Sequence, residues 1–290
     1  MSSDGRHGIT IIAFVGSVFS PYYAFARRRG SANPLDHCAL NVALYGDSRR
    51  WAMTERRSRV ITRSEDHFTL GPSHVAWDGD SLTIEIDEIT NPFPSRLRGR
   101  VRVYPSGLTD TSFDLDRSGR HRWWPIAPCA RVQVDLVQPG QRWIGDGYFD
   151  LNHGDAPLEQ DFVGWEWSRA STRRGTVISY DTSARDGRDN SQDTNLALRV
   201  DRSGTIERLE PLARTGLRRS GWRIARSARA DAAHPVRVVR TLEDAPFYAR
   251  SQLSATLFGE TADVMHESLS LDRFRSPIVQ AMLPFRMPRW

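Results

Sequence analysis

The amino-acid sequence predicts an all-β protein of the barrel or sandwich type. Short runs with one apolar residue in two recur along the chain between turn residues, whereas long helical periodicity is scarce. Strands at this spacing are typical of barrels and sandwiches. With 290 residues, 39% of them hydrophobic, the chain is long enough for one large or two ordinary domains.

The predicted elements are apolar or aromatic runs bounded by turn-forming residues. The strands in the first half are Ile9–Val18, Ala39–Tyr45, Trp51–Glu55, Val75–Trp77, Ser81–Ile89, Arg98–Tyr104, Arg131–Leu136 and Arg142–Asp150. Those in the second half are Trp165–Arg169, Val177–Asp181, Thr194–Val200, Thr205–Pro211, Trp222–Arg226, Val236–Leu242 and Ser251–Leu257. Ser268–Met282 is the best helical candidate. A boundary within Trp143–Gly147 divides the chain into domains 1–145 and 146–290.

The N-terminal apolar run imitates a secretory signal imperfectly. Gly16 and Ser17 interrupt it, and the bulky Tyr22 and Tyr23 crowd the region that should be small. It is also shorter than the about 20 apolar residues that a membrane span needs. We therefore expect a buried strand followed by an aromatic turn.

Charge and cysteine content narrow the class of partner and the compartment. The net charge is +5, but the 40 basic residues, all of them Arg, are interspersed with 35 acidic ones. This mixture is typical of a solvated surface and argues against nucleic acid, while a weakly basic face towards lipid headgroups stays open. Cys38 and Cys129 fit no disulfide framework or metal-ligand spacing, which agrees with free buried thiols in a reducing compartment.

Three pairs of side chains two residues apart are the strongest functional signal. They are His121/Trp123, Tyr148/Asp150 and Trp165/Trp167. Residues i and i+2 of a strand project from the same face, so each pair presents two neighbouring groups to one surface. If these surfaces converge, one acid stands among aromatic faces.

Asp150 is the candidate acid. A carboxyl group in an apolar setting has a raised pKa and can donate a proton near neutral pH. An Asx turn at the end of the strand explains this residue equally well. His121 is a candidate to position water or to accept a proton, and a structural hydrogen bond to the backbone is the alternative. Trp123 and its neighbour Trp124, which points the other way, are pocket walls or core.

Several common chemistries lack their motifs. No GxSxG, GxGxxG or Walker A pattern occurs, which argues against the commonest hydrolases and nucleotide-binding proteins, and without HxH or HExxH we expect no metal. The segment Asp150–Asp155 has oxygen donors but fails the spacing of a calcium loop, because Asp155 stands where that loop needs Gly.

Long segments of the chain resemble the carotenoid 1,2-hydratase family, also called hydroxyneurosporene synthase. The segments are Ile11–Tyr23, Asn33–Gly46, His121–Pro128, Gly147–Trp167, Pro246–Ser251 and Ser268–Phe274. The resemblance implies two lipocalin-like β-barrel domains with a short C-terminal helix. Longer members carry an aromatic-rich strand before the segment that matches Asp4–Arg6, so either the first barrel lacks that strand or the start site is different.

The resemblance also implies a function and roles for named residues. The reaction is cofactor-independent addition of water to the terminal C1–C2 double bond of acyclic carotenoids such as neurosporene or lycopene. The residues important in the family map onto His121, Trp123, Tyr148 and Asp150, with Asp150 as the proton donor. The predicted substrate-binding residues are Trp165, Trp167, Trp124, Tyr22 and Tyr23. The expected location is cytoplasmic, with peripheral contact to lipid of the inner or photosynthetic membrane.

Two other functions are compatible with the pattern. A lipocalin-like protein could bind a carotenoid or lipid without transforming it, although a pure binder gains nothing from burying a carboxyl group. A glycosidase would pair Asp150 with Glu159 or Asp155, but closeness in sequence does not establish the separation that this chemistry needs.

Overall fold

A computed structural model describes residues 1–30, 32–185 and 193–289 and confirms a nearly all-β chain with a short C-terminal helix. The first strands are β1 (Gly8–Phe14), β2 (Cys38–Tyr45), β3 (Arg50–Arg56), β4 (Ile61–Arg63), β5 (His67–Leu70), β6 (Ser73–Trp77), β7 (Leu82–Ile89), β8 (Arg96–Pro105), β9 (Phe113–Asp114), β10 (His121–Gln138) and β11 (Gln141–Gly154). The later strands are β12 (Phe162–Thr172), β13 (Gly175–Ala184), β14 (Thr194–Val200), β15 (Ile206–Arg208), β16 (Ala213–Leu217), β17 (Arg226–Ala230), β18 (Arg237–Asp244), β19 (Tyr248–Leu257) and β20 (Glu260–Ser270). The helices are α1 (Pro21–Arg28), α2 (Leu158–Asp161), α3 (Leu271–Phe274) and α4 (Pro277–Met282).

The aromatic turn predicted after β1 is instead the start of helix α1. The Ser20 hydroxyl accepts a hydrogen bond from the Tyr23 backbone N–H at 3.0 Å, and Pro21 occupies the first turn. A Ser N-cap followed by Pro is a strong helix start, and the aromatic side chains concealed it. The preceding strand ends at Phe14, before Gly16 adopts a positive φ of 66°.

The predicted C-terminal helix is shorter and interrupted. Ser268 and Ser270 still belong to β20 and pair with β12, so the helix begins at Leu271. Pro277 disfavours helical geometry in the residue before it, which separates α3 from α4.

The chain divides into two compact units. Unit 1 comprises Met1–Pro105, Ala130–Tyr148 and Gln280–Trp290, and unit 2 comprises Ser106–Cys129 and Phe149–Val279. The predicted domains 1–145 and 146–290 stay a prediction.

Unit 1 is built on antiparallel strands in two sheets. One has the order β1-β2-β3, and the other runs β11-β10-β8-β7-β6-β5-β4. Met287, from the C-terminal segment, packs in its core against Ala39 and Met53.

Unit 2 is organised by a seven-stranded antiparallel sheet with the order β15-β14-β13-β12-β20-β19-β18. In this sheet Trp167 lies opposite Tyr180 on one side and Glu267 on the other. Alternation therefore puts Trp165 and these three residues on one face, which we call the aromatic face. The opposite face carries Glu166, and the β16–β17 hairpin covers it through an alanine-rich core.

Among the residues that the structure describes, no helix has the length and apolar character that crossing a membrane requires.

Candidate functional site

Asp150 is hydrogen-bonded to an indole in unit 2. The Nε1–H of Trp123 donates to Oδ2 of Asp150 at 2.8 Å. Trp123 is fully buried on β10, and Asp150 is half-buried on the neighbouring strand β11. An indole N–H can only donate, so this contact fixes one carboxyl oxygen as an acceptor.

Aromatic rings surround this hydrogen bond. The Trp123 ring lies 5.4 Å from the Tyr180 ring, nearly edge-on, and 5.8 Å from the Phe113 ring. Trp165 lies 6.3 Å from Tyr180, also edge-on. The aromatic face of the seven-stranded sheet therefore continues to Asp150 through Tyr180 and Trp123.

Tyr180 is a buried phenol in this cluster. Burial, followed by the negative charges of Asp150 and Glu267, raises its pKa well above the ordinary value of 10.0. Its hydroxyl lies 3.3 Å from Oδ1 of Asn152 and donates to it. Tyr180 therefore stays protonated and acts as a neutral hydrogen-bond donor.

His121 forms an ion-pair-like contact with an acid that the sequence did not indicate. Its Nε2 lies 2.6 Å from Oδ2 of Asp161, and both side chains are nearly buried. Arg120 binds the other oxygen of Asp161. The backbone of His121 is held as well, since its N–H donates to Asp116 at 2.8 Å. Asp161 thus fixes the orientation of the imidazole.

The second ring nitrogen of His121 faces the end of β11. A Cβ placed on Gly154 would lie 2.6 Å from Nδ1 and 3.3 Å from Cε1 of His121. That nitrogen is buried and has no hydrogen-bond partner within the described ranges. Gly154 is therefore required for the close approach of strand β11 to the imidazole.

A buried ion pair occupies the same face of the sheet as Tyr180. The guanidinium of Arg250 donates through Nε to Glu267 at 3.0 Å, and Arg250 is nearly inaccessible to solvent. Because Glu267 lies opposite Trp167, this pair borders the aromatic face.

The other predicted site residues lie at several places. Tyr148 is the last residue of unit 1, two positions before Asp150 on β11. Trp167 is buried beside Tyr180. The structure does not bring Trp124 to the cluster, because it projects from the opposite side of β10 and donates to Thr109.

Tyr22 and Tyr23 belong to helix α1 of unit 1. The Tyr23 ring lies 4.9 Å from the ring of His37, and Arg289 lies 5.5 Å from the centre of the Tyr22 ring. Their contacts are thus with a polar cluster in that unit.

Sequence reasoning missed Asp161, Asn152 and Tyr180. Asp161 is 40 residues from His121, and only the fold brings the two together. A usable signal was present for Asn152, because it shares a strand face with Asp150. Tyr180 lies within the predicted strand Val177–Asp181, but no site role was predicted for it.

This arrangement suits proton transfer to an apolar substrate. It contains a carboxyl group with one oxygen occupied, a nearby imidazole held by a second carboxylate, and rings that can stabilise a cation. Of the two partners that the glycosidase alternative offers for Asp150, Asp155 has a side chain that is 74% exposed.

Comparisons with known proteins give the family of the chain. The family model described as carotenoid hydratase CrtC matches residues 11–290. The acyclic carotenoid 1,2-hydratase of Thiocapsa roseopersicina is 56% identical over 291 residues, which cover 100% of this chain and 71% of that protein. The protein of the same name from Cereibacter sphaeroides is 41% identical over 280 residues, covering 96% of this chain and 98% of its own length.

A solved structure shows a similar fold. The AttH protein from Nitrosomonas europaea superimposes with a TM-score of 0.61 at 14% identity, over 93% of this chain and 88% of that one. This likeness concerns the fold alone, whereas the family match covers almost the full sequence. The chain therefore belongs to the carotenoid hydratase CrtC family.

Proposed function

We propose that this protein adds water across the terminal C1–C2 double bond of an acyclic carotenoid, as a hydro-lyase. The main support is the hydrogen bond from Trp123 to Asp150 within an aromatic surround. Family membership and the names of relatives that are 41% to 56% identical point to the same reaction.

Asp150 is the proton donor in this proposal. Because Oδ2 accepts from the indole, the proposal puts the transferred proton of the neutral acid on Oδ1. Transfer of that proton to C2 leaves a tertiary cation at C1. The carboxylate that forms keeps the Trp123 hydrogen bond, which strengthens as negative charge develops.

Aromatic rings stabilise the cation until water captures it. A ring face contributes about 0.5 to 2 kcal/mol towards a nearby cation. The proposal gives this role to Trp123 and to Tyr148, with Trp165 and Trp167 extending the apolar wall.

His121 completes the proton balance. Water attacks C1, and the resulting oxonium group loses one proton to the hydrogen-bonded pair of His121 and Asp161. The proton that Asp150 gave to C2 is thereby replaced by one from water. The pair then passes this proton to the Asp150 carboxylate, so the acid is restored before the next cycle and no redox partner is needed.

The substrate chemistry also suggests where the protein works. Acyclic carotenoids are long hydrocarbons that dissolve in membranes, so we propose peripheral contact with lipid of the inner or photosynthetic membrane and a cytoplasmic location. Two lipocalin-like barrels, one holding the polyene, complete the proposal for the fold.

The decisive experiment is an anaerobic incubation of purified protein with detergent-solubilised lycopene and no added cofactor. Wild type is expected to yield a product heavier by one water, and Asp150→Asn is expected to yield none. Asp155→Asn is the matched control, because it removes an exposed carboxylate from the same segment. Binding of lycopene by wild type without any product would instead favour a non-catalytic carotenoid carrier.

A further inference from the structure

Unit 2 contains a cavity beside strands β12 and β20 of the seven-stranded sheet, and its lining includes Glu166 and Trp165. Its volume is about 540 Å³, which lies in the range of small-molecule sites. The β16–β17 hairpin and the turn between its strands form one wall, and β12 and β20 form the other. Four arginines line this cavity: Arg214, Arg219, Arg223 and Arg273.

Glu166 is the single carboxylate in the lining, and its oxygens are already engaged. Oε1 accepts the backbone N–H of Ser227 at 3.1 Å. Oε2 accepts the hydroxyl of Ser268 and lies 3.1 Å from Nε2 of the buried His266. It does not pair with any of the four arginines in the described part of the chain.

Three of the four guanidinium groups donate to neutral acceptors. Arg214 donates to the Ser227 hydroxyl, Arg219 to the Arg223 carbonyl, and Arg273 to the Trp222 carbonyl. Across the described ranges, none of the four lies within 4.0 Å of a carboxylate. Other arginines of unit 2 do form such pairs: Arg185 with Asp272, Arg199 with Glu207, Arg229 with Asp181, and Arg250 with Glu267. The cavity therefore concentrates uncompensated positive charge.

An exposed tryptophan stands at the turn that carries two of these arginines. Trp222 is 46% exposed, and its backbone N–H is held by Asp244 at 3.2 Å. The turn is closed by a 2.9 Å hydrogen bond from the Arg223 N–H to the Ser220 carbonyl. An indole beside arginines is the combination that favours the boundary between lipid headgroups and acyl chains. This segment was predicted to be a strand, but the turn replaces it.

We propose that this cavity binds the phosphate of an anionic lipid headgroup while Trp222 enters the membrane interface. Guanidinium groups recognise phosphate oxygens through paired hydrogen bonds, and four unpaired ones converge here. The proposal rests on the membrane contact suggested above and assigns it to one site. It assigns no part to Asp150 or His121, because neither residue lines the cavity, although Trp165 does.

Vesicle sedimentation of the full chain tests this site. Wild type is expected to bind phosphatidylcholine vesicles that contain phosphatidylglycerol and to bind pure phosphatidylcholine weakly. The double substitution Arg219→Gln with Arg223→Gln should weaken binding to the anionic vesicles about 30-fold, or about fivefold per arginine. Arg214→Gln is a second variant, expected to lose about fivefold, in case the double variant unfolds.

A matched control separates this site from general charge attraction. Arg202 and Arg237 are exposed in unit 2 and do not line the cavity, so replacing both by Gln removes the same charge. Equal losses for the two double variants would overturn the proposal, as would a wild type that ignores phosphatidylglycerol. Titration with inorganic phosphate tests whether the site binds a free phosphate compound instead of a lipid headgroup. Tight phosphate binding that disappears in the Arg219/Arg223 variant, without vesicle binding, would assign the site to a free phosphate compound and refute the lipid.

Lycopene hydration is measured separately with substrate in detergent, where no vesicle is present. Lack of product from wild type would refute the proposed reaction, whatever the vesicles show. Hydration in detergent together with failed vesicle binding would refute only the lipid site.

Discussion

The indole nitrogen of Trp123 lies 2.8 Å from Oδ2 of Asp150, although the two residues are 27 positions apart. This contact adds to the part that the sequence suggested for Trp123. Besides the cation-facing role that the proposal gives to its ring, its N–H binds the candidate acid directly. Trp123 therefore positions the carboxyl group, and its ring packs against Phe113 and Tyr180.

Replacing Trp123 by Phe keeps an aromatic ring and removes the donor. A hydrogen bond to a charged group contributes about 1.5 to 3 kcal/mol, so we expect the rate of lycopene hydration to fall about 10- to 100-fold. Product formation by chromatography measures this, with Trp77→Phe in strand β6 as the control. An unaltered rate in Trp123→Phe would show that the indole N–H has no part in catalysis.

Replacing Asp161 by Asn tests the partner of His121. The amide can still bind Nε2, but it cannot stabilise the imidazolium. We expect the rate to fall about 100-fold, in the range of general acid–base effects, and the pH dependence of the rate to change shape. A purely structural role would lower the melting temperature and leave the pH profile intact. Arg120→Gln, which removes the exposed partner of Asp161, is expected to have a smaller effect.

Replacing Gly154 by Ala should displace the imidazole without changing any polar group. The new Cβ would lie 2.6 Å from Nδ1 of His121, so one of the two residues must shift. Overpacking of this kind costs about 1 to 3 kcal/mol in stability, and we expect a parallel loss of activity. Gly216→Ala is the control, because a Cβ there meets nothing within 4 Å. Full activity in Gly154→Ala would mean that the position of His121 is unimportant.

Local pattern was sufficient to predict much of the fold. Strand β14 has the predicted bounds Thr194–Val200, and β2 and β3 differ by one residue at the ends. Strand β20 was missed, because its buried face carries His266 and Ser268. These polar groups bind Glu166 and hide the apolar alternation. A polar network that only the folded sheet satisfies leaves no periodic signal.

In the candidate site too, relationships within one strand could be predicted from the sequence, and contacts between elements could not. Alternation along single strands paired His121 with Trp123 and Tyr148 with Asp150, because that relationship is local. The contacts that give these groups a chemical role cross between elements, as from His121 to Asp161 and from Tyr180 to Asn152. Such pairings depend on how separate strands and helix α2 are placed in the fold, which alternation along a single strand does not specify.

Cys38 is expected to resist modification in the folded protein. Burial raises the pKa of its thiol from 9.0 to about 11, so at pH 8 only about one thousandth is thiolate. Ellman's reagent at pH 8 should therefore leave Cys38 unmodified in native protein and modify it rapidly in denaturant. Mass spectrometry of digested samples locates the label, and rapid native labelling of Cys38 would contradict its burial.

Replacing Tyr180 by Phe tests whether this phenol acts as an acid or only as a neutral donor. Its pKa is raised well above 10.0 by burial and by two carboxylates, so it stays protonated through the neutral range. The pH dependence of hydration should keep its shape below pH 10.0 in Tyr180→Phe, while loss of the Asn152 hydrogen bond costs about 0.5 to 1.5 kcal/mol.

Because the folded-state pKa is the higher one, the phenol contributes stability that is present below pH 10.0 and is lost as the pH rises through the folded-state value. Wild type should therefore lose more stability than Tyr180→Phe above pH 10.0 in urea unfolding. If the variant lacked an alkaline limb that wild type shows below pH 10.0, Tyr180 would be a titrating catalytic group.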